Sequence, residues 1–98
     1  MKATEIAEKV LSGEMSARSV VEQHLETINN IESDVNAFNI VTAEQALIDA
    51  DEIDSKIASG ETLGPLAGVP ISVKDNLCTR GVETTCSSKI LEGWIPPY

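Results

Sequence analysis

The first sixty residues carry apolar side chains at helical spacing, and this pattern predicts three helices. The first covers residues 4–12, with Gly13 placed to end it in a left-handed conformation. The second begins after Ser16, a residue type suited to the N-cap position, and continues to about Ile31. The predicted apolar faces are Ile6, Val10 and Leu11 in the first helix and Val21, Leu25 and Ile28 in the second.

A third helix is predicted to begin at Thr42 and to be closed by Gly60. Thr42 and Gln45 have the spacing of a capping box, in which each side chain binds the main-chain N–H of the other residue. The residues before this helix, 37–41, alternate in polarity and predict a strand or an extended connection. The apolar face of the third helix is rich in alanine, which implies close packing, and consists of Ala43, Ala46, Ala50, Ile53 and Ile57.

We interpret the apolar faces of the three helices as packing surfaces and their acidic faces as solvated surfaces. His24 lies beside Leu25 in the second helix, and we expect it at the surface or at a helix flank rather than as a metal ligand or a base. The alternative is that one of the helical faces docks a partner protein.

The composition changes after the third helix, because all four prolines and five of the six glycines lie at or after Gly60. Residues 63–70 therefore predict a loop with fixed turns. Ile71–Val73, with β-branched residues at both ends, predicts a short strand that is followed directly by Lys74. The sequence thus divides into an acidic helical region, residues 1–60, and a loop and strand segment, residues 61–98.

Lys74 is the candidate for chemistry. If the preceding strand lies inside a sheet, the Lys74 amine is buried, and burial lowers the pKa of a lysine by disfavouring its charged form. A neutral amine can accept a proton from a serine hydroxyl, as in Ser–Lys catalytic arrangements. Asp75 and Asn76 are suited to hold the loop by hydrogen bonds from side chain to main chain. The alternative is an ordinary surface lysine at the end of a strand.

Charge and composition exclude several classes of protein. The net charge is −9, and −8 of it lies in residues 1–60, which argues against non-specific binding to phosphate backbones or anionic membranes. No apolar run reaches the roughly 20 residues needed to span a bilayer, and the acidic N-terminus lacks an apolar signal region. Cys78 and Cys86 are too few for a disulfide scaffold or a zinc site, so we expect reduced thiols, no metal and a cytoplasmic location.

Two segments resemble a known family. Residues 65–76, with the order Gly-Val-Pro-Ile followed by Lys-Asp-Asn, resemble the N-terminal motif of the amidase signature family. Residues 84–98, with Thr-Thr-Cys, Lys-Ile-Leu and Pro-Pro-Tyr, resemble in particular the A subunits of the tRNA-dependent amidotransferases within that family. The acidic helical region resembles the opening of the same subunits, so the resemblance covers the whole chain.

The resemblance implies an α/β fold, of which this chain supplies the N-terminal fragment: three helices followed by short strands and turn-rich loops. It implies that Lys74 is the catalytic lysine of a Ser–cisSer–Lys triad that releases ammonia from glutamine. The ammonia then amidates a mischarged tRNA, giving Gln-tRNA(Gln) or Asn-tRNA(Asn), in a complex with subunits B and C. ATP and Mg²⁺ are used in another subunit, and no cofactor is expected on this chain.

The same resemblance places the two catalytic serines of the family downstream of Tyr98. Ser87 and Ser88 lack the flanking glycines of an oxyanion site, and Ser88 matches a family serine that is structural or adjacent to substrate. We therefore expect the isolated chain to be inactive on glutamine, and to depend on a complementing downstream fragment or on self-association for stability. The alternatives are a fragment of another amidase signature hydrolase and a non-catalytic helical interaction module.

Overall fold

The computed structural model describes residues 1–98, the whole of the sequence. Three α-helices follow one another along the chain, and the three predicted helices are therefore confirmed. A single turn of 3₁₀-helix, Lys89–Leu91, lies near the C-terminus. The α-helices are α1 (Ala3–Leu11), α2 (Ala17–Val35) and α3 (Ala43–Ala58). None of them combines the length and the apolar character that crossing a bilayer requires.

The chain forms two compact units. The helical unit consists of Met1–Val35 and Thr42–Pro70 and contains all three α-helices. The loop unit consists of Asn36–Val41 and Ile71–Tyr98. Each unit is therefore assembled from two separate stretches of the sequence.

The core of the helical unit is small and aliphatic. Val10 of α1 and Ala17 of α2 are fully buried, and Ala50 of α3 is 2% exposed. Small side chains at two of these three positions let the helices approach closely, as the alanine-rich face of α3 predicts. The remaining core residues, with the partly buried side chains packed against them, are Ile6, Val20, Met15, Val21, Ile53, Ile57 and Val69.

Some predicted core positions lie outside this core. Leu11 is 40% exposed, although its spacing places it beside Val10. In α2 the fully covered side chains belong to the first turn, Ala17 and Val20, whereas Leu25 and Ile28 are only half-buried. Helix α2 has 19 residues, about 28 Å, and α1 has nine, about 13 Å, so α1 is too short to cover the whole of α2.

Local sequence signals explain most helix ends. The Ser16 Oγ accepts the Ser19 N–H at 3.0 Å, which confirms Ser16 as the N-cap of α2. Gly13 and Gly60 follow α1 and α3 with φ of 78° and 80°, the left-handed conformation expected of glycine at a helix end. Helix α2 continues to Val35 rather than ending near Ile31.

The predicted capping box of α3 is not formed. Thr42 is the N-cap residue, but its side chain makes no capping hydrogen bond. The Gln45 Nε2 instead donates to the Asp49 Oδ1, one turn further along the helix, at 2.7 Å. Gln45 is exposed, and its i, i+4 contact with Asp49 competes with the capping-box hydrogen bond from its side chain to the Thr42 main chain.

The predicted strand at Ile71–Val73 is wrong, and of the two alternatives for residues 37–41 the strand is excluded, because the structure contains no strand. Residues 37–41 and Ile71–Val73 are irregular, and Ile71 is 77% exposed. A strand requires a partner for its main-chain ladder, and the loop unit offers only the isolated bridge between Thr79 and Val82. Of the predicted α/β fragment, the structure thus shows the three helices and the turn-rich loops, without the short strands.

The loop unit is held instead by scattered hydrogen bonds around two buried residues, Thr84 and Pro96. Thr84 is 2% exposed, and its N–H donates to the Trp94 carbonyl at 3.1 Å. The Thr84 hydroxyl donates to the Val82 carbonyl at 3.2 Å. The Gly81 N–H donates to the carbonyl of Pro96, a buried residue, at 3.2 Å. These bonds close the C-terminal end of the chain onto residues 79–85 without a sheet.

Candidate functional site

Asp75, the residue after Lys74, is the best-connected side chain of the loop unit. Its Oδ1 accepts the Thr85 N–H at 2.8 Å, and its Oδ2 accepts the Thr85 hydroxyl. Its main-chain carbonyl accepts the Cys86 N–H at 2.8 Å. The segment that carries Lys74 is therefore attached directly to residues 85 and 86.

Asn39 connects a third segment to the same carboxylate. Its Nδ2 donates to the Asp75 Oδ2 at 2.7 Å and to the Ser87 Oγ at 3.0 Å. Asn39 lies 36 residues before Asp75, in the stretch predicted as a strand or an extended connection. The carboxylate of Asp75 thus joins three stretches of the chain, near residues 39, 75 and 85. We call this set of Asn39, Asp75, Thr85 and Ser87 the Asp75 cluster.

These hydrogen bonds determine the pKa of Asp75. The Thr85 hydroxyl has the largest effect, followed by the Thr85 N–H and the Asn39 amide, and together they lower the pKa to about 2 from 3.8. Hydrogen bonds that favour the charged form of an acid lower its pKa in this way. Asp75 is therefore ionised throughout the physiological pH range.

The turn that follows Thr85 has an unusual backbone. Cys86 and Ser87 have φ of 52° and 57°, a left-handed conformation that side chains other than glycine seldom adopt. Successive N–H groups in such turns can form an anion-binding concavity. Here the N–H groups of residues 86, 87 and 88 are already bound to the Asp75 carbonyl, the Thr85 hydroxyl and the Thr85 carbonyl. The turn is consequently a structural element and has no free donors for an oxyanion.

Lys74 itself is exposed, and its amine takes part in no salt bridge or hydrogen bond. Lys74 lines an open cavity of about 510 Å³ within the loop unit, together with Phe38, Ser72 and Asp75. The burial that the sequence predicts for a lysine inside a sheet is not seen in this chain, because the sheet is not formed here. The amine is instead accessible to a group from outside the chain.

None of the other residues considered from the sequence forms a hydrogen bond or an ion pair with the Lys74 amine. His24 is exposed, and its Nδ1 donates to the Val20 carbonyl at 2.7 Å within α2. Ser88 is the N-cap of the 3₁₀ turn, where its Oγ accepts the Ile90 N–H. Cys78 and Cys86 are free and exposed. No three His, Cys, Asp or Glu side chains are grouped as metal ligands would be.

Sequence reasoning predicted a loop-holding role for Asp75 and missed both of its partners. Thr85 belongs to the Thr-Thr-Cys segment of the resemblance, so the motif marks it without assigning it a contact. Asn39 lies in an unremarkable polar and apolar alternation, and no local pattern connects it with a residue 36 positions away. Asn76, paired with Asp75 in the prediction, makes no side-chain hydrogen bond.

The chain is similar to known proteins over its whole length. It is 52% identical over 98 residues to the A subunit of the glutamyl-tRNA(Gln) amidotransferase of Synechococcus sp. (strain WH7803), covering 100% of this chain and 20% of that protein. It is 48% identical over 98 residues to the corresponding A subunit of Cutibacterium acnes (strain DSM 16379 / KPA171202), with the same coverage. This chain therefore spans about a fifth of the length of the curated relatives it matches.

This chain is also similar to a solved structure. It is described as an unexpected vestigial protein complex that reveals the evolutionary origins of an s-triazine catabolic enzyme. Its TM-score with this chain is 0.90 at 45% identity, and the match covers 98% of this chain and 21% of that one. Residues 19–98 also match the family described as Amidase. Since that match covers most of the chain and includes Lys74 and the whole Asp75 cluster, the chain belongs to the amidase family.

Proposed function

We propose that this chain is the N-terminal part of the glutamine-hydrolysing A subunit of a tRNA-dependent amidotransferase. The observation that carries the proposal is the match of the entire chain, at 52% identity, to the A subunit of a glutamyl-tRNA(Gln) amidotransferase. The motifs at residues 65–76 and 84–98 support the same assignment, because they resemble segments of such subunits. The product is Gln-tRNA(Gln), or Asn-tRNA(Asn) where the complex acts on aspartyl-tRNA(Asn).

In this proposal Lys74 is the base of the glutaminase reaction. A serine from the remainder of the enzyme attacks the side-chain amide carbon of glutamine, and its proton passes through a bridging serine to the Lys74 amine. The carbon–nitrogen bond then breaks, and the leaving nitrogen takes up that proton and departs as ammonia. Water hydrolyses the resulting ester and gives glutamate. Lys74 is exposed at a cavity wall in this chain, so its amine is open to a serine from another segment. The role also requires the remainder of the enzyme to cover the amine, because only a neutral amine accepts a proton.

The partners follow from the same assignment. Subunits B and C complete the enzyme, the mischarged tRNA is the acceptor of the ammonia, and the complex is cytoplasmic. ATP and Mg²⁺ serve to activate the acceptor in another subunit. The residues of this chain do not fit a metal site, because no three potential ligands are grouped, and no step on this chain uses the metal.

A second candidate is another amidase-family hydrolase, which cleaves a small amide without tRNA. The solved structure connected with an s-triazine catabolic enzyme favours it, since the match there reaches 45% identity over 98% of this chain. The two candidates share Lys74 as base and differ in substrate and in the need for subunits B and C.

A hybrid protein tests the proposal. Residues 1–98 of this chain replace the matching fifth of the A subunit of Synechococcus sp. (strain WH7803), and the hybrid is co-expressed with subunits B and C of that organism. Glutamine hydrolysis and glutamine-dependent amidation of glutamyl-tRNA(Gln) are then measured. We expect both activities in the hybrid, and a loss of at least about 100-fold in glutamine hydrolysis with Lys74→Ala, the scale of a missing general base.

Lys89→Ala is the matched control, because Lys89 is an exposed lysine of the same loop unit with no proposed role. Its activity should equal that of the unsubstituted hybrid. Retention of full glutamine hydrolysis by Lys74→Ala would contradict the assignment of the base. A folded hybrid that cleaves simple amides but neither hydrolyses glutamine nor amidates tRNA would favour the second candidate.

A further inference from the structure

Residue 75 is held at both its side chain and its main chain, and it is joined to Lys74 by a peptide bond. The carboxylate binds Thr85 twice and Asn39 once, and the carbonyl accepts the Cys86 N–H. The Lys74 side chain, in contrast, makes no hydrogen bond or salt bridge of its own in this chain. The direction in which the lysine leaves the backbone is therefore set by how its neighbour is held.

We propose that Asp75 is a positioning residue, which aims the Lys74 amine by tying the backbone of residues 74–75 to Asn39 and Thr85. The inference rests on the proposed function, in which Lys74 is the base. It assigns no contact between Asp75 and the substrate. Its effect is to hold the backbone from which the Lys74 side chain extends, so that the amine can reach the position where an incoming serine hydroxyl meets it.

The chemistry of the cluster calls for a carboxylate at position 75. The groups that approach the Asp75 oxygens are donors: the Thr85 N–H, the Thr85 hydroxyl and the Asn39 amide, with the Ser87 N–H also contributing. A carboxylate accepts at both oxygens, whereas an amide accepts at one end and donates at the other. Asp75→Asn would therefore replace one acceptor by an NH₂ group, which either meets the Thr85 N–H or requires the Asn39 amide to turn round and accept. Such a mismatch displaces residue 75, and Lys74 is displaced with it because a peptide bond joins the two residues.

The polarity of the cluster also predicts a rescue. Exchanging the two side chains, Asp75→Asn with Asn39→Asp, reverses the direction of the hydrogen bond between positions 39 and 75. In the unsubstituted chain the Ser87 hydroxyl accepts from Asn39 at 3.0 Å. In the double variant the new carboxylate at position 39 accepts from the Ser87 hydroxyl and from the new amide at position 75. The Thr85 hydroxyl can accept from the new amide, since a hydroxyl group both donates and accepts. The exchange keeps the charge and the composition of the cluster.

The low pKa of Asp75, about 2, means that its hydrogen bonds to Thr85 and Asn39 persist over the working pH range. The carboxylate remains ionised wherever the enzyme works, so these hydrogen bonds do not open and close with pH. Asp75 is thus separated from proton transfer, which the proposal leaves to Lys74.

The experiment uses the hybrid protein in its complete complex with subunits B and C. For Asp75→Asn we expect kcat for glutamine hydrolysis to fall by about 10- to 100-fold, the range that a displacement of about 1 Å can cause. The KM for glutamine should change by less than about twofold, because Asp75 does not bind the substrate. On a logarithmic scale, the double exchange should reverse at least half of the fall in kcat that Asp75→Asn causes. Asp49→Asn is the matched control, since Asp49 is exposed in α3 and also bound by an amide side chain.

The possible results separate the two ideas. If Lys74→Ala keeps full activity, the assignment of Lys74 as the base fails and the positioning role fails with it. If Lys74→Ala is inactive while Asp75→Asn has an unchanged kcat, only the positioning role is overturned. It is also overturned if the double exchange restores the melting temperature but not kcat, or if Asp75→Asn raises KM and leaves kcat unchanged. A fall in kcat at constant KM, reversed by the exchange, supports it.

Discussion

The Asp54 carboxylate of α3 caps the first turn of α2, with its Oδ1 2.7 Å from the Ala17 nitrogen. Its Oδ2 accepts the Arg18 N–H at 3.1 Å. The first N–H groups of a helix have no partner within the helix, and here Asp54 binds two of them while Ser16 binds that of Ser19. A negative charge at this end is also favoured by the helix dipole. The contact therefore joins α3 to α2 at the point where their core side chains meet.

Asp54→Ala is predicted to destabilise the helical unit by about 1–2 kcal/mol, because it removes both the cap and the favourable charge at the start of α2. The measurement is urea unfolding followed by circular dichroism at 222 nm. Asp49→Ala is the control on the same helix: Asp49 is exposed and binds only Gln45, so its loss should cost no more than about 0.5 kcal/mol. Equal effects of the two substitutions would contradict the capping role.

Arg18→Ala is predicted to cost less than Asp54→Ala, although Arg18 takes part in two salt bridges. Its guanidinium lies 2.6 Å from an Asp51 oxygen and 2.9 Å from a Glu22 oxygen. These side chains are about half exposed, and water and salt screen exposed ion pairs strongly. The same unfolding measurement decides the order. The effect of Arg18→Ala should also shrink as the salt concentration rises.

Gly68→Ala is predicted to destabilise the helical unit. A Cβ at residue 68 would lie 2.7 Å from the Val10 Cγ1, inside the core, and φ there is +76°. The crowding costs about 1–3 kcal/mol, and the left-handed conformation adds about 1–2 kcal/mol for a residue other than glycine. Urea unfolding measures the sum.

Gly60→Ala separates the two causes. Gly60 has nearly the same φ, +80°, but a Cβ there meets no atom within 4 Å. Gly60→Ala should therefore show the conformational cost alone, about 1–2 kcal/mol. If Gly68→Ala is no more destabilising than Gly60→Ala, the close approach to Val10 has no energetic effect.

The pKa of Asp75 should be about 2 by NMR titration of its carboxyl carbon. Because the folded-state pKa lies below the ordinary value of 3.8, the carboxylate stabilises the fold fully above that value. This stabilisation is lost as the pH falls from about 4 towards about 2. Thr85→Val removes the hydroxyl with the largest effect and should raise the pKa of Asp75 towards 3.8.

Thr79→Val is the control for that titration, since the Thr79 hydroxyl donates to the Leu77 carbonyl and not to Asp75. It should leave the pKa of Asp75 unchanged. A pKa of Asp75 near 3.8 in the unsubstituted chain would contradict the hydrogen bonds of the Asp75 cluster.

Cys86→Val is predicted to loosen the loop unit, because a β-branched side chain tolerates a positive φ poorly and Cys86 has φ of 52°. Cys86→Gly removes the conformational strain but adds freedom to the unfolded chain, so the two effects nearly cancel. Hydrogen exchange of the residue 86 amide, which binds the Asp75 carbonyl, measures the difference. Exchange should accelerate in Cys86→Val and stay close to the original rate in Cys86→Gly.

Features that depend on neighbours in the sequence were predictable. The helices α1, α2 and α3 follow from apolar spacing, and Ser16, Gly13 and Gly60 act at helix ends through contacts three or four residues away. The same logic failed for Thr42 and Gln45, where a second local contact, from Gln45 to Asp49, competes with the capping box. Local patterns thus identify the possible contacts but do not rank contacts of similar strength.

By itself the sequence determined the three helices, most of their ends and the motif that contains Lys74, because these depend on spacing and residue type. The tertiary structure alone decided that Asp54 caps α2 across 37 positions and that Asn39 and Thr85 bind Asp75. It also decided that Ile71–Val73 forms no strand, since strand formation depends on a partner rather than on residue type. Contacts between distant positions leave no periodic trace in one sequence, so only the folded chain reveals them.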